Sequence, residues 1–423
     1  MKIAIYEPLP RVCGPMSCAF HTATGFRKLG HEADVLTFTR SGKPSTTWGK
    51  MKPGIRWWSS PMDRVGSIKK AGEILDEYDL VILNDVRTVM LDRDALKGRA
   101  YLVPTVPDYV TVLANTSTPF TFALHGNNYP PSEVPYAENL VALPNFTGTA
   151  ITYSPTSPAL SQHLWPDVTW YESPLPYEPR LAVDAPTPLD DPDTDLHVGI
   201  TGRYITVKGH HVLAVAAVNH MPSVRQVDIW GACSMSLAAS ASYKTYEALR
   251  YTMNLHGERR GLDPTRWDTK AGGDVIRHIP WWVEKPDGGK ISYHGGYESS
   301  VDVCATLGVH VDLTTSDFSD GMEFSQFEAI DAGCLQVSVE SMWSTDFAGE
   351  VVPSVGKWPG ELKLIKSERG QELLASVGDA VERAVGKPRD EQLAAVRHNR
   401  AVLRTKHDPA RIAGLYLKIT SLT

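Results

Sequence analysis

The stretch His197-Val-Gly-Ile-Thr-Gly-Arg-Tyr-Ile-Thr-Val-Lys-Gly209 starts with an apolar run, continues through a polar segment flanked by glycines, and leads into the apolar residues 210–219. A short apolar run bounded by turn residues is typical of a buried strand, and a longer one after it is typical of a helix. Repeated strand–turn–helix units form parallel sheets covered by helices. We therefore predict an α/β fold for this part of the chain.

The same pattern extends in both directions from this unit. The run Lys2-Ile-Ala-Ile-Tyr6 predicts a first strand, and the helical stretch after it ends at Gly30, a helix-stopping residue. Further strands are predicted at 31–38, 79–83, 121–124 and 149–153 in the first half, and at 197–201, 226–230, 290–293, 310–314 and 335–339 in the second. Helices are predicted at 210–219, 324–332 and 409–417.

The length of 423 residues predicts two domains, because a single hydrophobic core seldom grows beyond about 250–300 residues. Residues 172–195 hold six prolines and an acidic cluster, a composition typical of a linker. We predict an amino-terminal domain over 1–180, with a final helix at about 408–423 packing back on it, and a carboxy-terminal domain over 190–407.

The formal net charge of −7 argues against binding nucleic acid over the whole surface, although it is compatible with a local basic face. No apolar run approaches the roughly 20 residues of a membrane span. The first residues also lack the apolar stretch of a signal peptide. We therefore expect a soluble, cytoplasmic protein.

The five cysteines are odd in number and scattered along the chain, which predicts free thiols in a reducing compartment. Cys13 and Cys18 are close in sequence, but no cluster of Cys or His supplies the remaining ligands of a metal site. We therefore predict no bound metal.

Polar residues follow several predicted strands of the first half. In open α/β sheets ligands bind at the carboxyl ends of the strands, so Asn84, Asp85 and His125 are candidate site residues. Gly14 lies in the first strand-to-helix loop, where the missing side chain lets a ligand approach the backbone. The alternatives are an ordinary turn glycine and a structural histidine, since a lone histidine more often has a structural role.

Two segments of the second half carry the charged residues of a candidate site. Arg203 and Lys208, each beside a glycine at a strand-to-helix turn, place two cations where a diphosphate can bind. The run Glu323-Phe-Ser-Gln-Phe-Glu328 places one carboxylate before a helix and another in its first turn, where they can accept hydrogen bonds from ribose and sugar hydroxyls. Together the segments indicate a nucleotide sugar. The alternatives are exposed cations on a loop and acids that complement a helix dipole.

With these residues the chain resembles the GT-B glycosyltransferases, and among them the DNA α-glucosyltransferases of T-even phages. Segment 202–209 is similar to the family's phosphate-holding arginine and lysine, and segment 323–333 is similar to its acidic helix. Leu124-His125 resembles its histidine-bearing loop, but the histidine is followed here by Gly126 instead of an aspartate. A role of that aspartate therefore does not transfer to this chain.

The resemblance implies a fold of two Rossmann-like domains that face each other across a cleft. It also implies a retaining, metal-independent transfer of a hexose or pentose from a nucleotide sugar, with a UDP-sugar favoured and no cofactor. Arg203 and Lys208 are expected to stabilise the departing diphosphate, with His125 and Glu323 as further catalytic residues. The implied donor-binding residues are Gly14, Gly202, Trp230, Gly231, His294, Gly295, Asp320 and Glu328.

Two details of the donor site remain alternatives at this point. In the larger family the first acid lies eight residues before the second, a position held here by Asp320, so either Asp320 or Glu323 contacts the sugar. Trp230-Gly231 and His294-Gly295 end two strands where GT-B enzymes place the nucleobase, but glycines of this kind also occur in plain turns.

Two regions are candidates for the acceptor. Between residues 40 and 70 there are eight Lys or Arg against one acid, interleaved with three tryptophans, a pattern that suits a nucleic acid. The alternative is a solvated loop with its tryptophans packed inward. A second region, 254–285, is also rich in Arg and Trp, although acids offset much of its charge. The predicted acceptor-binding residues are Lys50, Lys52, Arg56, Trp57 and Trp58.

The acceptor implied by the resemblance is a hydroxymethylated pyrimidine of phage DNA, because an unmodified base offers no primary hydroxyl. A bacterial envelope or polysaccharide glycosyltransferase is the main alternative, and it would usually carry a basic amphipathic helix, which the glycine- and proline-rich run 40–70 does not form. A third class is a non-catalytic protein that binds nucleotide sugar or DNA. Such a protein would be expected to lack Arg203, Lys208 or Glu328, and all three are present.

Overall fold

The computed structural model describes most of the chain and divides it into two compact units. The described residues are 1–7, 14–39, 42, 62–84, 110, 112–125, 139–153, 165–191, 195–202, 204, 206–231, 236–253, 281–295, 297, 299–315, 323–341 and 345–421, with the backbone alone at 39 and 236–243. Unit 1 comprises Met1–Glu178 together with Arg404–Thr423, and unit 2 comprises Pro179–Leu403.

Unit 1 is built on a seven-stranded sheet in which every neighbouring pair of strands is parallel. The strand order is β3-β2-β1-β4-β5-β6-β7. The strands are β1 (Lys2–Tyr6), β2 (Glu32–Thr39), β3 (Arg64–Ser67), β4 (Leu80–Leu83), β5 (Phe120–Leu124), β6 (Phe146–Thr152) and β7 (Thr169–Glu172).

Unit 2 also has a seven-stranded sheet, in the order β10-β11-β9-β8-β12-β13-β14. All pairs are parallel except β10 with β11, which is antiparallel. The strands are β8 (His197–Ile200), β9 (Gln226–Trp230), β10 (Trp281–Glu284), β11 (Lys290–Gly295), β12 (Val309–Asp312), β13 (Leu335–Val339) and β14 (Gly349–Val352).

Helices accompany both sheets. The helices of unit 1 that lie wholly within the described residues include α1 (Gly14–Lys28), α2 (Ala71–Leu75) and α10 (Pro409–Ile419). Those of unit 2 are α3 (His210–Asn219), α4 (Ser236–Thr252), α5 (Ser300–Cys304), α6 (Phe324–Ala332), α7 (Glu361–Lys366), α8 (Glu368–Gly386) and α9 (Arg389–Lys406), the last of which continues into unit 1. The predicted α/β class is confirmed, with two sheets that are parallel except for the β10–β11 pair.

The core of each unit lies against its sheet. Strands β4, β5 and β13 are buried along their whole length, as expected for central strands of a parallel sheet covered on both faces. Helix α3 is buried on nearly every residue, which explains why it reads as a continuous apolar run with little amphipathic pattern. Burying apolar surface of this kind is the main stabilising contribution to each unit.

Unit 1 takes its last helix from the far end of the chain. Helix α10 begins with the predicted cap, since the Asp408 side chain accepts from the amide of Ala410 at 3.1 Å and Pro409 occupies the first turn. It lies against α1 so closely that a Cβ on Gly25 would overlap the carbonyl oxygen of Pro409. Tyr416 packs its ring 6.2 Å from that of Phe26. Glycine at position 25 therefore allows the two helices to meet.

The proline-rich segment after β7 has no helix or strand in its described residues 173–191. The carboxylate of Asp331, in α6, is buried and accepts from the backbone amides of Arg180 at 2.7 Å and Leu181 at 3.1 Å. These bonds fix the first residues of unit 2 to helix α6.

Two parts of the candidate acceptor regions have a structural role. Arg64 makes a two-point ion pair with Glu77, with both nitrogen–oxygen distances 2.7 Å, and lies in strand β3. Trp281 is 3% exposed and belongs to the core of unit 2, where its ring packs on Tyr293. These two side chains therefore make contacts that stabilise the fold.

No helix in the described parts of the chain is long and apolar enough to cross a bilayer. Within the same residues, no three His, Cys, Asp or Glu side chains are grouped so that they could hold a metal ion. The three described cysteines, Cys18, Cys304 and Cys334, are all buried.

Candidate active site

Lys208 and Glu323 join the two charged segments of unit 2. Lys208 ends a 3₁₀ turn that follows β8, and its ammonium lies 2.6 Å from the Glu323 carboxylate. Glu323 is the N-cap residue of α6, but its side chain makes no capping hydrogen bond and pairs with the lysine. Lys208 is 6% exposed and Glu323 remains partly exposed, so the pair forms a charged site that is closed on the lysine side.

The turns around Lys208 depend on two glycines with positive φ. Gly202, two residues after the end of β8, has φ 127°, and Gly209, the N-cap residue of α3, has φ 70°. A Cβ on Gly209 would overlap the side chain of Leu313. A Cβ on Gly202 would meet no atom of the described residues within 4 Å. Gly202 itself is half-buried.

Three glycines bring the ends of neighbouring strands together. The amide of Gly231 donates to the carbonyl of Gly295 at 2.8 Å. A Cβ on Gly231 would lie 2.9 Å from the carbonyl oxygen of Gly202 and 3.1 Å from Cβ of Tyr204. The three donor-site glycines predicted in unit 2 therefore lie at one edge of its sheet, which is the carboxyl edge where ligands bind in open α/β folds.

Trp230 and His294 form a stacked pair at this edge. Their ring centroids are 4.1 Å apart and their planes are inclined by 14°. The His294 side chain is 34% exposed, so part of the pair faces outward. Nε2 of His294 donates to the Asp228 carboxylate at 2.7 Å, and Nδ1 of His197 donates to the other oxygen of that carboxylate at 3.0 Å.

Sequence reasoning did not identify Asp228 and His197. Alternation along β9 could have indicated Asp228, because Gln226, Asp228 and Trp230 share one face of a strand whose intervening residues are buried. Its pairing with His294 depends on the register of β9 against β11, which only the structure provides.

Glu328 lies in the second turn of α6 and not in the first, because the helix begins at Phe324. Atoms packed around its carboxyl group raise the pKa from 4.5 to about 7, although the residue keeps part of its surface exposed. A hydrogen bond with Ser300 and the positive charge of Arg180 oppose this shift. Glu328 is thus a carboxyl group that can be neutral or charged near neutral pH.

His125 lies at the carboxyl end of β5 in unit 1, where its Nε2 is 2.7 Å from the carbonyl oxygen of Asn84. Because a carbonyl only accepts, Nε2 carries a proton, and a neutral His125 has its lone pair on Nδ1. The ring also packs edge-on against Tyr153, 4.8 Å away. A neutral His125 therefore uses its donor on the backbone, and donating to a sugar as well requires the imidazolium form.

Glu7 is a buried carboxylate that sequence reasoning missed. It follows β1 directly, is 0% exposed, and accepts from the side-chain amide of Asn84 at 2.6 Å. The same amide donates to the carbonyl of Pro15 at 2.7 Å. Glu7, Asn84 and His125 thus form a connected polar row at the carboxyl edge of the first sheet, next to the helix that Gly14 begins. The strand-end rule that selected Asn84 also selects Glu7.

Several predicted site residues lie outside the described residues. They are Arg203, Asp320, Asp85 and the five acceptor-binding candidates, Lys50, Lys52, Arg56, Trp57 and Trp58.

The fold is that of the GT-B glycosyltransferases, which confirms the resemblance predicted from the sequence. No protein-family model matches the chain, and a search of curated proteins finds no significant match. The similarity therefore comes from solved structures.

One similar structure is an α-glucosyltransferase in complex with UDP-glucose and DNA containing an abasic site. It is 14% identical, with a TM-score of 0.61 over 100% of this chain and 99% of that one. The pneumococcal O-GlcNAc transferase GtfA, in complex with UDP and GlcNAc, is 10% identical, with a TM-score of 0.56 over 100% and 99%. TarM of S. aureus, whose complex contains UDP, is 9% identical, with a TM-score of 0.55 over 99% of each chain. At these identities the likeness shows a common fold.

Proposed function

We propose that the chain is a retaining glycosyltransferase that moves a sugar from a nucleotide sugar, with a UDP-sugar favoured, to a hydroxymethylated pyrimidine of phage DNA. The observation that carries the proposal is the Lys208–Glu323 pair, 2.6 Å across, at the carboxyl edge of the second sheet. A cation for the diphosphate and a carboxylate for the sugar are what a nucleotide-sugar site requires, and here they are neighbours. The UDP complexes of structures with the same fold support this donor.

In this proposal Lys208 and Arg203 bind the diphosphate and stabilise the negative charge that develops as it leaves. The acceptor hydroxyl forms a bond to the anomeric carbon, the bond from that carbon to the phosphate oxygen breaks, and the hydroxyl proton passes to the departing phosphate. Glu323 or Asp320 binds the sugar, Glu328 accepts from the ribose, and His125 contacts the sugar. No metal or cofactor takes part in these steps.

The bound donor would replace the internal partner of Lys208. A buried ammonium needs an opposite charge, and Glu323 supplies one at 2.6 Å. The leaving phosphate offers a stronger negative charge at the same place, which frees the Glu323 carboxylate to accept from sugar hydroxyls. Unit 2 would thus bind the donor and unit 1 the acceptor.

The DNA acceptor is supported by the α-glucosyltransferase complexes that contain DNA and by the basic run 40–70. In the described part of that run, Lys69 and Lys70 are exposed on the turn after β3, where they can contact phosphates. The proposal retains Lys50, Lys52, Arg56, Trp57 and Trp58 as acceptor-binding residues. An enzyme that uses UDP-sugars on DNA would work in the cytoplasm, that of the host cell if the chain is phage-encoded.

A bacterial envelope or polysaccharide glycosyltransferase is the second candidate. TarM and GtfA share this fold with TM-scores close to those of the α-glucosyltransferase, and their complexes are described without DNA. The donor chemistry is the same in both candidates, so the acceptor distinguishes them.

The test is to incubate the protein with UDP-glucose, UDP-GlcNAc and other nucleotide sugars together with hydroxymethylated or plain DNA. The DNA is then digested to nucleosides for mass measurement. We expect one added hexose or pentose on hydroxymethylated pyrimidines only. Donor hydrolysis without transfer to either DNA would reject the DNA acceptor and favour the second candidate, whereas the absence of both reactions would reject the transferase.

A further inference from the structure

One face of strands β8, β9 and β11 carries a polar cluster in place of the apolar side chains usual in a parallel sheet. Asp228 lies at its centre and accepts from His197 at 3.0 Å, from His294 at 2.7 Å and from the side-chain amide of Gln226 at 2.7 Å. The opposite face of the same strands is apolar and belongs to the core of unit 2. Asp228 is 5% exposed, so this is a buried carboxylate held by three donors.

Asp228 is ionised, which fixes the protonated nitrogen of His294. Burial alone would raise the pKa of Asp228, but the hydrogen bonds from His197, His294 and Gln226 together lower it well below its usual range. An ionised carboxylate only accepts, so Nε2 of His294 carries the proton. In the neutral ring the lone pair then lies on Nδ1.

The same bond determines how His294 lies on Trp230. Histidine has two rotatable side-chain bonds, and the bond from Nε2 to Asp228 restricts both of them. The ring is thereby held almost parallel to the indole, 4.1 Å away and inclined by 14°. Register places Gly295 opposite Trp230, so the stacked pair lies at the carboxyl ends of two adjacent parallel strands, beside Gly231.

We propose that Asp228 is a positioning residue for the nucleobase of the donor: it holds His294 flat on Trp230, and the outer face of the imidazole, backed by the indole, forms the stacking surface for the base. The inference rests on the proposed function, because it assigns a nucleotide to this edge of unit 2. It adds the residue that orders the surface.

The expected loss of UDP affinity follows from the loss of a fixed orientation of the His294 ring. Stacking of a base on an aromatic side chain depends on a flat ring, and a histidine free to rotate must be immobilised by the ligand. We expect Asp228→Ala to weaken the binding of UDP by about tenfold. Inorganic pyrophosphate lacks a base, so its affinity should stay within about twofold of the wild type.

The experiment is titration calorimetry of the full chain with UDP and with pyrophosphate, without acceptor. The matched control is His197→Ala, which also removes a donor from Asp228 but lies at the amino end of β8, away from the stacked pair. It should bind UDP and pyrophosphate like the wild type. The pyrophosphate affinity also reports whether each variant has folded.

A second variant tests the inference even if Asp228→Ala does not fold. His294→Leu should weaken UDP binding to a similar degree and leave pyrophosphate binding unchanged. The double variant with Asp228→Ala should lose no more UDP affinity than either single variant, because both substitutions act through the same ring. Wild-type affinity for UDP in Asp228→Ala or in His294→Leu would overturn the inference and leave the proposed function standing. Equal losses in His197→Ala and Asp228→Ala would overturn it too. A wild-type protein that binds no UDP or other nucleoside diphosphate would overturn both.

Discussion

Lys208 and Lys285 are both buried in unit 2, but their ammonium groups have different surroundings. Lys285 donates to the carbonyls of Met221 and Val224, each at 2.8 Å, and pairs with Asp287 at 2.9 Å. These are bonds that hold a turn in place. Lys208 instead meets a carboxylate beside the glycine turns at the carboxyl edge of the sheet. A buried lysine can thus serve the fold or a ligand, and its location distinguishes the two roles.

This contrast gives the first prediction. Lys208→Ala should lower kcat for sugar transfer by about 10²–10³-fold, because it removes a cation that stabilises the departing diphosphate. Steady-state rates with UDP-sugar and acceptor measure the effect. Lys285→Met is the control, since it should lower the melting temperature while the folded enzyme keeps its kcat. A Lys208→Ala enzyme with wild-type kcat would contradict the assigned role.

The second prediction concerns the pH dependence of stability. Because the pKa of Glu328 rises from 4.5 to about 7 on folding, the folded state binds more protons than the unfolded state between these values. Its contribution to the free energy of unfolding therefore falls as pH rises through this window. Glu328→Gln removes the titrating group and with it this pH-dependent decrease. The free energy of unfolding of the variant should therefore exceed that of the wild type by about 1–3 kcal/mol at pH 8 and differ little from it at pH 4.

Melting temperatures at the two pH values measure this difference. Glu368→Gln, at an exposed position at the start of α8, is the control and should show no pH-dependent gain. The same gain at pH 4 and pH 8 for Glu328→Gln would show that the carboxyl group titrates normally.

Sequence could supply candidate side chains but not their pairings. The succession of predicted strands and helices identified Lys208, Glu323 and His125, because each lies next to the end of a strand or the start of a helix. The two histidine partners of Asp228 are 31 and 66 residues away in sequence, and only the register of three strands brings them together. Buried polar clusters of this kind have no local signature.

At the scale of helices and strands, the close contact of α1 and α10 gives a prediction with an internal control. Gly25→Ala should destabilise the protein by about 1–3 kcal/mol, because the added methyl would overlap the backbone of Pro409. Gly414→Ala, in α10 itself, has no described atom within 4 Å of the new Cβ and should stabilise by up to about 1 kcal/mol through helix propensity. Chemical denaturation measures both changes. Equal effects of the two substitutions would contradict the packing described.

The strands that sequence analysis missed share one physical property. Apolar runs predicted all the interior strands, with ends shifted by a few residues. The missed strands are β3, β7, β10 and β14, and they are the two edges of each sheet. An edge strand is covered less completely, so its residues alternate or are mostly half-exposed, and four residues of such a pattern do not stand out from a loop.

At the scale of the whole molecule, the assignment of donor binding to unit 2 can be tested directly. UDP at about 100 times its Kd should stabilise the structure it binds by about 2.7 kcal/mol. We expect hydrogen–deuterium exchange to slow at the ends of β8, β9 and β11 and at the start of α6. Pyrophosphate is the control ligand and should protect the β8 turn and α6 but not the end of β11. Protection confined to unit 1 would contradict the assignment.

The return of α10 to unit 1 also constrains the order in which the protein can be completed during translation. The ribosome makes all of unit 2 before it makes the helix that covers Gly25 and Phe26 on α1. Until then the nascent amino-terminal unit carries an uncovered apolar helix face, which is a surface that chaperones bind and that promotes aggregation. A ribosome that stalls between residues 403 and 409 would thus leave unit 2 with its whole sequence and unit 1 without its last helix.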